Sequence, residues 1–194
     1  MNRLLTPLVY LKVRHPVKIW YSVIYPIMFS APLSALLVFA PIEYTVVGDN
    51  GLVETFNALL ALLIGFFIAA LAAVASFDRA GMDAAMLGDG ATLSLPDRSE
   101  PLVLTRRMYL CLLFGYLTLA TLATYIVFAI ANVMLASVSP PAVGLSAGTY
   151  ALARGGFIFV YCFLIGHILS HSLLGVYYLA WRTVIFEKKV LGNE

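Results

Sequence analysis

Gly155 to Trp181 reads GGFIFVYCFLIGHILSHSLLGVYYLAW, 27 residues without a charge. About 20 helical residues cross roughly 30 Å of hydrocarbon, so this stretch is long enough to span a membrane with some tilt. It also has the most polar atoms to place in lipid. His167, Ser170 and His171 lie near its middle and one half, where a polar group is costly unless partnered. The expectation is a central helix against which the others pack.

Composition extends that expectation to the whole chain. Of 194 residues, 62% are apolar and 11% charged, which belongs to the membrane class rather than to one or two soluble domains. Four spans are predicted, at about 19–40, 55–77, 108–134 and 155–181. They follow a basic segment, residues 1–18, and the second and third are separated by a polar loop, residues 78–105. The fold class is an all-α integral membrane protein, a four-transmembrane-helix bundle. Residues 19–194 form its membrane domain. The N-terminal segment shows no tripartite signal pattern or cleavage site, so the first span is expected to be retained.

Basic residues predict the orientation. With both termini cytoplasmic, eleven of the twelve Lys and Arg lie inside: Arg3, Lys12, Arg14 and Lys18; Arg79, Arg98, Arg106 and Arg107; Arg182, Lys188 and Lys189. Arg154 is the exception, and the opposite orientation would translocate nearly all of them. The expected location is a membrane, crossed several times and in contact with lipid.

Local signals fill in the connections. LLxxLVYL between basic residues suggests a short interfacial helix over residues 1–18, leucine side toward lipid, with an irregular basic tail as the alternative. Pro26 and Pro32 interrupt the first span and call for support from neighbouring helices. Gly48 to Gly51, GDNG, is a turn signal that suggests a small hairpin between YTVV and LVE. On the second span Ala61, Gly65, Ala69 and Ala73 recur every fourth residue, a small-residue stripe suited to close helix contact. Thr118, Thr121 and Thr124 on the third span can return their hydroxyls to their own helix, and Asn132 suits a cap or a bond between helices. In the loop, TLSL reads as an extended piece ending at Pro96, and RAGMDAAML as one or two helical turns.

Chemistry is thinly supported. His167 and His171, four residues apart, share a helix face, but two ligands do not make a metal site, and no span carries an Asp or Glu to complete one or to act as general base. Neutral histidines bonded to neighbouring helices, or lining a polar path, fit better. Ser170 lies on a different side of the helix, and no Gly-x-Ser-Gly nucleophile site occurs. Small multidrug exporters depend on a membrane-embedded Glu, and quinone-linked thiol oxidases on paired cysteines outside the bilayer; here Cys111 and Cys162 lie within spans at different depths. The loop aspartates miss the alternation of an EF-hand, and its glycines miss the phosphate-loop pattern. The expectation is therefore a non-enzymatic protein without cofactor or metal.

Two classes remain. One is a sensor or scaffold whose loop, through Arg79, Asp83, Asp89, Asp97 and Arg98, engages a cytoplasmic protein. The other is a small channel or transporter lined by the fourth span. Both favour a homo-oligomer. In length, span count, termini and modest inner loop, the chain resembles the membrane subunit of the Kiwa bacterial anti-phage defence system. That resemblance implies a homo-oligomeric sensor of phage in the bacterial inner membrane that works with a cytoplasmic effector. Direct nucleic-acid binding by this chain is not expected, since interfacial anchoring accounts for its sparse basic segments.

Overall fold

The structure, a computed structural model, describes residues 3–15, 17–39, 44–76, 82–83, 91–94, 100–137 and 146–182. Four of its helices are long and apolar enough to cross a membrane: Trp20–Phe39, Leu52–Ser76, Arg106–Ala136 and Gly148–Ala180. The first, α1, opens with a π-helical turn, Trp20–Ile24, and continues as α-helix over Tyr25–Phe39. Next come α2, Leu52–Ser76, and α3, Arg106–Ala136; α4 runs over Ala147–Tyr177 and ends in a second π-helical turn, Tyr178–Arg182.

The α2–α3 pair is specified by a seven-residue repeat. On α2 the fully buried residues are Val53, Leu60, Phe67 and Val74; on α3, Leu110, Phe114, Leu117, Thr121, Thr124 and Phe128 alternate steps of four and three. A 3.5-residue period keeps one seam of each helix facing the other along its length. The small stripe is elsewhere. Ala61, Gly65 and Ala69 are exposed and Ala73 is partly buried, and a Cβ added at Gly65 would meet nothing within 4 Å.

Close approach happens instead between α1 and α4. On α1 the buried residues are Pro26, Ser30 and Ser34, again every fourth residue. Ser34 returns its hydroxyl to the Ser30 carbonyl at 2.6 Å, so the serine face is small and already satisfied. Gly166 of α4 fits against it: a Cβ there would lie 3.3 Å from the Pro26 backbone and 3.0 Å from Phe29. α4 is the most buried of the four, although α2 packs chiefly against α3 and not, as expected, against α4. Of its most apolar stretch 56% is buried, against 17% to 22% for the other three.

Three local expectations are revised. The N-terminal segment is a 3-10 helix, Arg3–Lys12, packed against α3 with Tyr10 buried, rather than a helix resting on the surface. The GDNG turn exists, with Gly48 at φ 94° and Asn50 at φ 57°, but LVE forms the first turn of α2 instead of a returning strand. Asn132 holds that turn by accepting a bond from the Gly48 amide at 2.8 Å. Lastly, α4 starts earlier than its uncharged run, because Ser146 caps the Thr149 amide and Arg154 sits over the Tyr44 ring, 5.2 Å from its centroid.

Among the described residues, strands occur in a ribbon at one end of the bundle. Val13–Arg14 (β1), Thr92–Leu93 (β2) and Leu102–Val103 (β3) pair antiparallel in the order β1-β2-β3, so the N-terminal segment and the loop between α2 and α3 become one surface. Arg107 fixes that surface to the helices. It donates to both Asp83 carboxylate oxygens, at 2.8 and 3.1 Å, and to the Ala75 carbonyl at the end of α2, at 3.3 Å. The expected turns over RAGMDAAML lie outside the described residues except for Met82 and Asp83.

Candidate functional site

One helical turn on α4 brings His167 and His171 together, their ring centroids 4.3 Å apart. Their tautomers follow from their partners. A carbonyl oxygen only accepts, so the His167 Nδ1 that lies 3.0 Å from the Ser22 carbonyl carries the proton. Its Nε2 then accepts from the Tyr116 hydroxyl at 2.8 Å. His171 repeats the pattern: Nδ1–H donates to the His167 carbonyl at 2.9 Å, and Nε2 faces the Ser22 hydroxyl at 3.4 Å. Both imidazoles are thus neutral ties, joining α4 to α1 and α3.

The Ser22 carbonyl is available because of Pro26. In an α-helix the acceptor at position 22 would receive the amide hydrogen of residue 26, and proline has none. The π-helical turn over Trp20–Ile24, in which the Tyr25 amide reaches back to the Trp20 carbonyl, accompanies the same interruption. Gly166 lets α1 come close enough for the histidine to reach.

Tyr10 closes the cluster from the ribbon end. Its ring stacks on Tyr116 with centroids 5.1 Å apart, stands edge-on to His171 at 5.8 Å and tilts against Tyr109 at 6.1 Å. Tyr178 completes the wall through Tyr109, at 5.3 Å. Lys18 holds Tyr10 from outside: Nζ donates to the carbonyls of Tyr10, Leu11 and Val13 at 3.1, 2.7 and 2.9 Å, and it lies 5.1 Å from the Tyr10 ring centroid. These are carbonyls at the C-terminal end of the 3-10 helix, where a cation is favoured. Burial pushes the Tyr10 phenol up to about 12, opposed by its hydrogen bond with Tyr109, and burial pushes the Lys18 ammonium down. Beside them is a cavity of about 10 Å³, room for roughly one water. Its lining includes Tyr10, His15, Lys18, Tyr21, Tyr109 and Tyr178.

A second buried polar contact lies toward the other end. Tyr161 donates to Asn57 Oδ1 at 2.8 Å and lies 3.2 Å from the Val53 carbonyl, and its ring stacks on Phe128 with centroids 4.1 Å apart. Thr121, fully buried between the two levels, has a hydroxyl with no hydrogen-bond partner, the one such buried threonine among the described residues.

The expected site residues divide accordingly. His167 and His171 are at the centre, whereas Ser170 returns its hydroxyl to the Gly166 carbonyl at 2.6 Å and takes no part. Ser22, Tyr116 and Tyr10 were not foreseen. The Nε2 atoms of the two histidines are directed to different helices, so one ion does not reach both without repacking. Among the described residues no group of three or more His, Cys, Asp or Glu side chains comes together. Ser22 and His171 are a hydroxyl and an imidazole in sequence-distant contact, but at 3.4 Å and with Ser22 outside the lining of the small cavity. Of the loop residues Asp83 is fixed by Arg107, while Arg79, Asp89, Asp97 and Arg98 lie outside the described residues. Comparison of the chain with protein families, with curated proteins and with solved structures finds no match to any of them.

Proposed function

We propose that this protein is a non-enzymatic membrane sensor or scaffold, oriented with both termini in the cytoplasm, whose ribbon engages a soluble protein. The observation that carries this is the joining of its two polar segments. The N-terminal segment and the α2–α3 loop pair as β1-β2-β3 and are clamped by Lys18 and Arg107, which gives a four-helix bundle an ordered surface outside the spans. The same geometry weakens the channel alternative: His167 and His171 spend their nitrogens on Ser22, Tyr116 and a backbone carbonyl rather than facing a path. Ala61, Gly65 and Ala69 are unspent within the chain and offer α2 as the contact for a homo-oligomer. A role in anti-phage defence belongs to this proposal as its biological setting.

The test is purification in mild detergent from the native host, with mass analysis of the intact particle. A stoichiometric soluble partner is expected, lost when residues 83–98 are replaced by a Gly/Ser linker, which removes β2 and the Asp83 clamp but none of the four helices. A particle that arrives without a partner and conducts ions in liposomes, with flux altered by His167→Ala or His171→Ala, overturns the proposal.

A further inference from the structure

We infer that the N-terminal segment is a removable strap, with Tyr10 as the cover on His171, and that its release opens His171 to water and unfastens the ribbon in one movement. This holds whether or not the ribbon has a partner.

The strap has little stability of its own. A 3-10 helix rarely exceeds three or four residues because its hydrogen bonds are poorly aligned, and this one runs for ten with Pro7 inside it. Tertiary contacts must hold it. Those contacts are concentrated: Tyr10 is 1% exposed, Pro7 approaches Gly115, and Leu8 and Val9 are partly buried, whereas Leu11 and Lys12 face outward.

Tyr10 occupies a slot built from three elements. Tyr109 and Tyr116 come from α3, His171 from α4, and the Lys18 ammonium lies across the open side. The titratable groups facing the histidines are therefore phenols and one ammonium; no carboxylate is among the described ones. The slot holds a phenol whose ring stands edge-on to His171, which is 1% exposed, so withdrawing Tyr10 removes one wall of the His171 site.

Release is transmitted because the chain is short between strap and ribbon. Tyr10 is three residues from Val13, which pairs with Leu93, and Lys18 bonds the carbonyls of Tyr10, Leu11 and Val13 together. Withdrawing Tyr10 shifts β1, and β1 is what pairs the loop to the N-terminal segment.

Carbethoxylation with diethyl pyrocarbonate tests this on the full chain in detergent, since the reagent attacks free imidazole nitrogen and the protein has three histidines to resolve by peptide mass. His171 should be protected in the native protein and in Tyr10→Phe, relative to the chain unfolded in dodecyl sulfate. In Tyr10→Ala it should react about tenfold faster or more, as local opening requires. Adding p-cresol, the severed side chain, should restore protection to Tyr10→Ala by refilling the slot. Equal protection in Tyr10→Ala and the native protein overturns the inference, as does native reactivity equal to that of the unfolded chain. Fast labelling that p-cresol leaves unchanged also overturns it, because the variant has then lost its fold rather than its cover.

Discussion

Tyr116 and His167 show what one interhelical hydrogen bond contributes here. Tyr116→Phe removes only the donor to His167 Nε2, and in a bilayer such a bond is worth about 0.6 to 1.7 kcal/mol. His167→Leu strands two groups at once, the Tyr116 hydroxyl and the Ser22 carbonyl, so it should cost more, about 2 to 3 kcal/mol. Unfolding in mixed micelles of both variants measures the difference; equal losses would mean that another group replaces the imidazole at Ser22. At this scale sequence carried half the information. Two histidines in an uncharged run announce polar atoms that need partners, but the partners lie 51 and 145 residues away, and no local pattern names them. Ser170 looked equally eligible because a serine that bonds its own helix is spelled no differently from one that bonds a neighbour.

Between helices, glycine positions separate true contacts from apparent ones. Gly166→Ala drives a Cβ to 3.0 Å from Phe29 and 3.3 Å from the Pro26 backbone, so α1 must move away from α4 and lose the reach of His167 to Ser22. Gly65→Ala meets nothing and gains helix propensity of about 0.8 to 1 kcal/mol. In the monomer the first substitution should lower the midpoint of thermal unfolding and the second leave it unchanged or raised; a matched loss would show that Gly65 is covered, as a second copy against α2 would cover it. The regular four-residue spacing on α2 suggested a close helix contact, but alanine and glycine alone do not say which neighbour arrives. On α1 an equal spacing of Pro26, Ser30 and Ser34 marks the real contact, disguised by polar and helix-breaking residue types. The α2–α3 seam was readable in principle, since a seven-residue repeat from Val53 to Val74 survives any choice of neighbour.

At the scale of the molecule, Tyr10 makes docking of the N-terminal segment sensitive to alkali. Its phenol is raised to about 12 when docked and returns to about 10 when free. Docking is therefore fully favoured below about pH 10 and loses that contribution as pH rises toward 12. Lys18 does not explain such a loss: burial lowers its pKa, so shedding its proton favours the docked state. A spin label at Arg14→Cys should become mobile between those limits in the native background and show no such transition in Tyr10→Phe. Persistence of the transition in Tyr10→Phe would place the sensitive group elsewhere. The four spans and the bundle class followed from length and hydropathy, which depend on the bilayer and not on details of packing. The ribbon did not, because two-residue strands owe their pairing to the helices that bring their flanks together.

Pro26 also bears on how the bundle is made. The first span enters the membrane before the fourth exists, and it arrives with a carbonyl at Ser22 that the residue four positions on, Pro26, has no amide hydrogen to satisfy. The imidazole that completes it is 145 residues downstream, on the fourth span. Until then α1 must lean on water or lipid headgroups near its end, and it is fixed in place only when α4 closes against it. A defect written into α1 thereby makes the arrival of α4 the committing step of assembly, and a chain truncated before His167 leaves a first span that never settles.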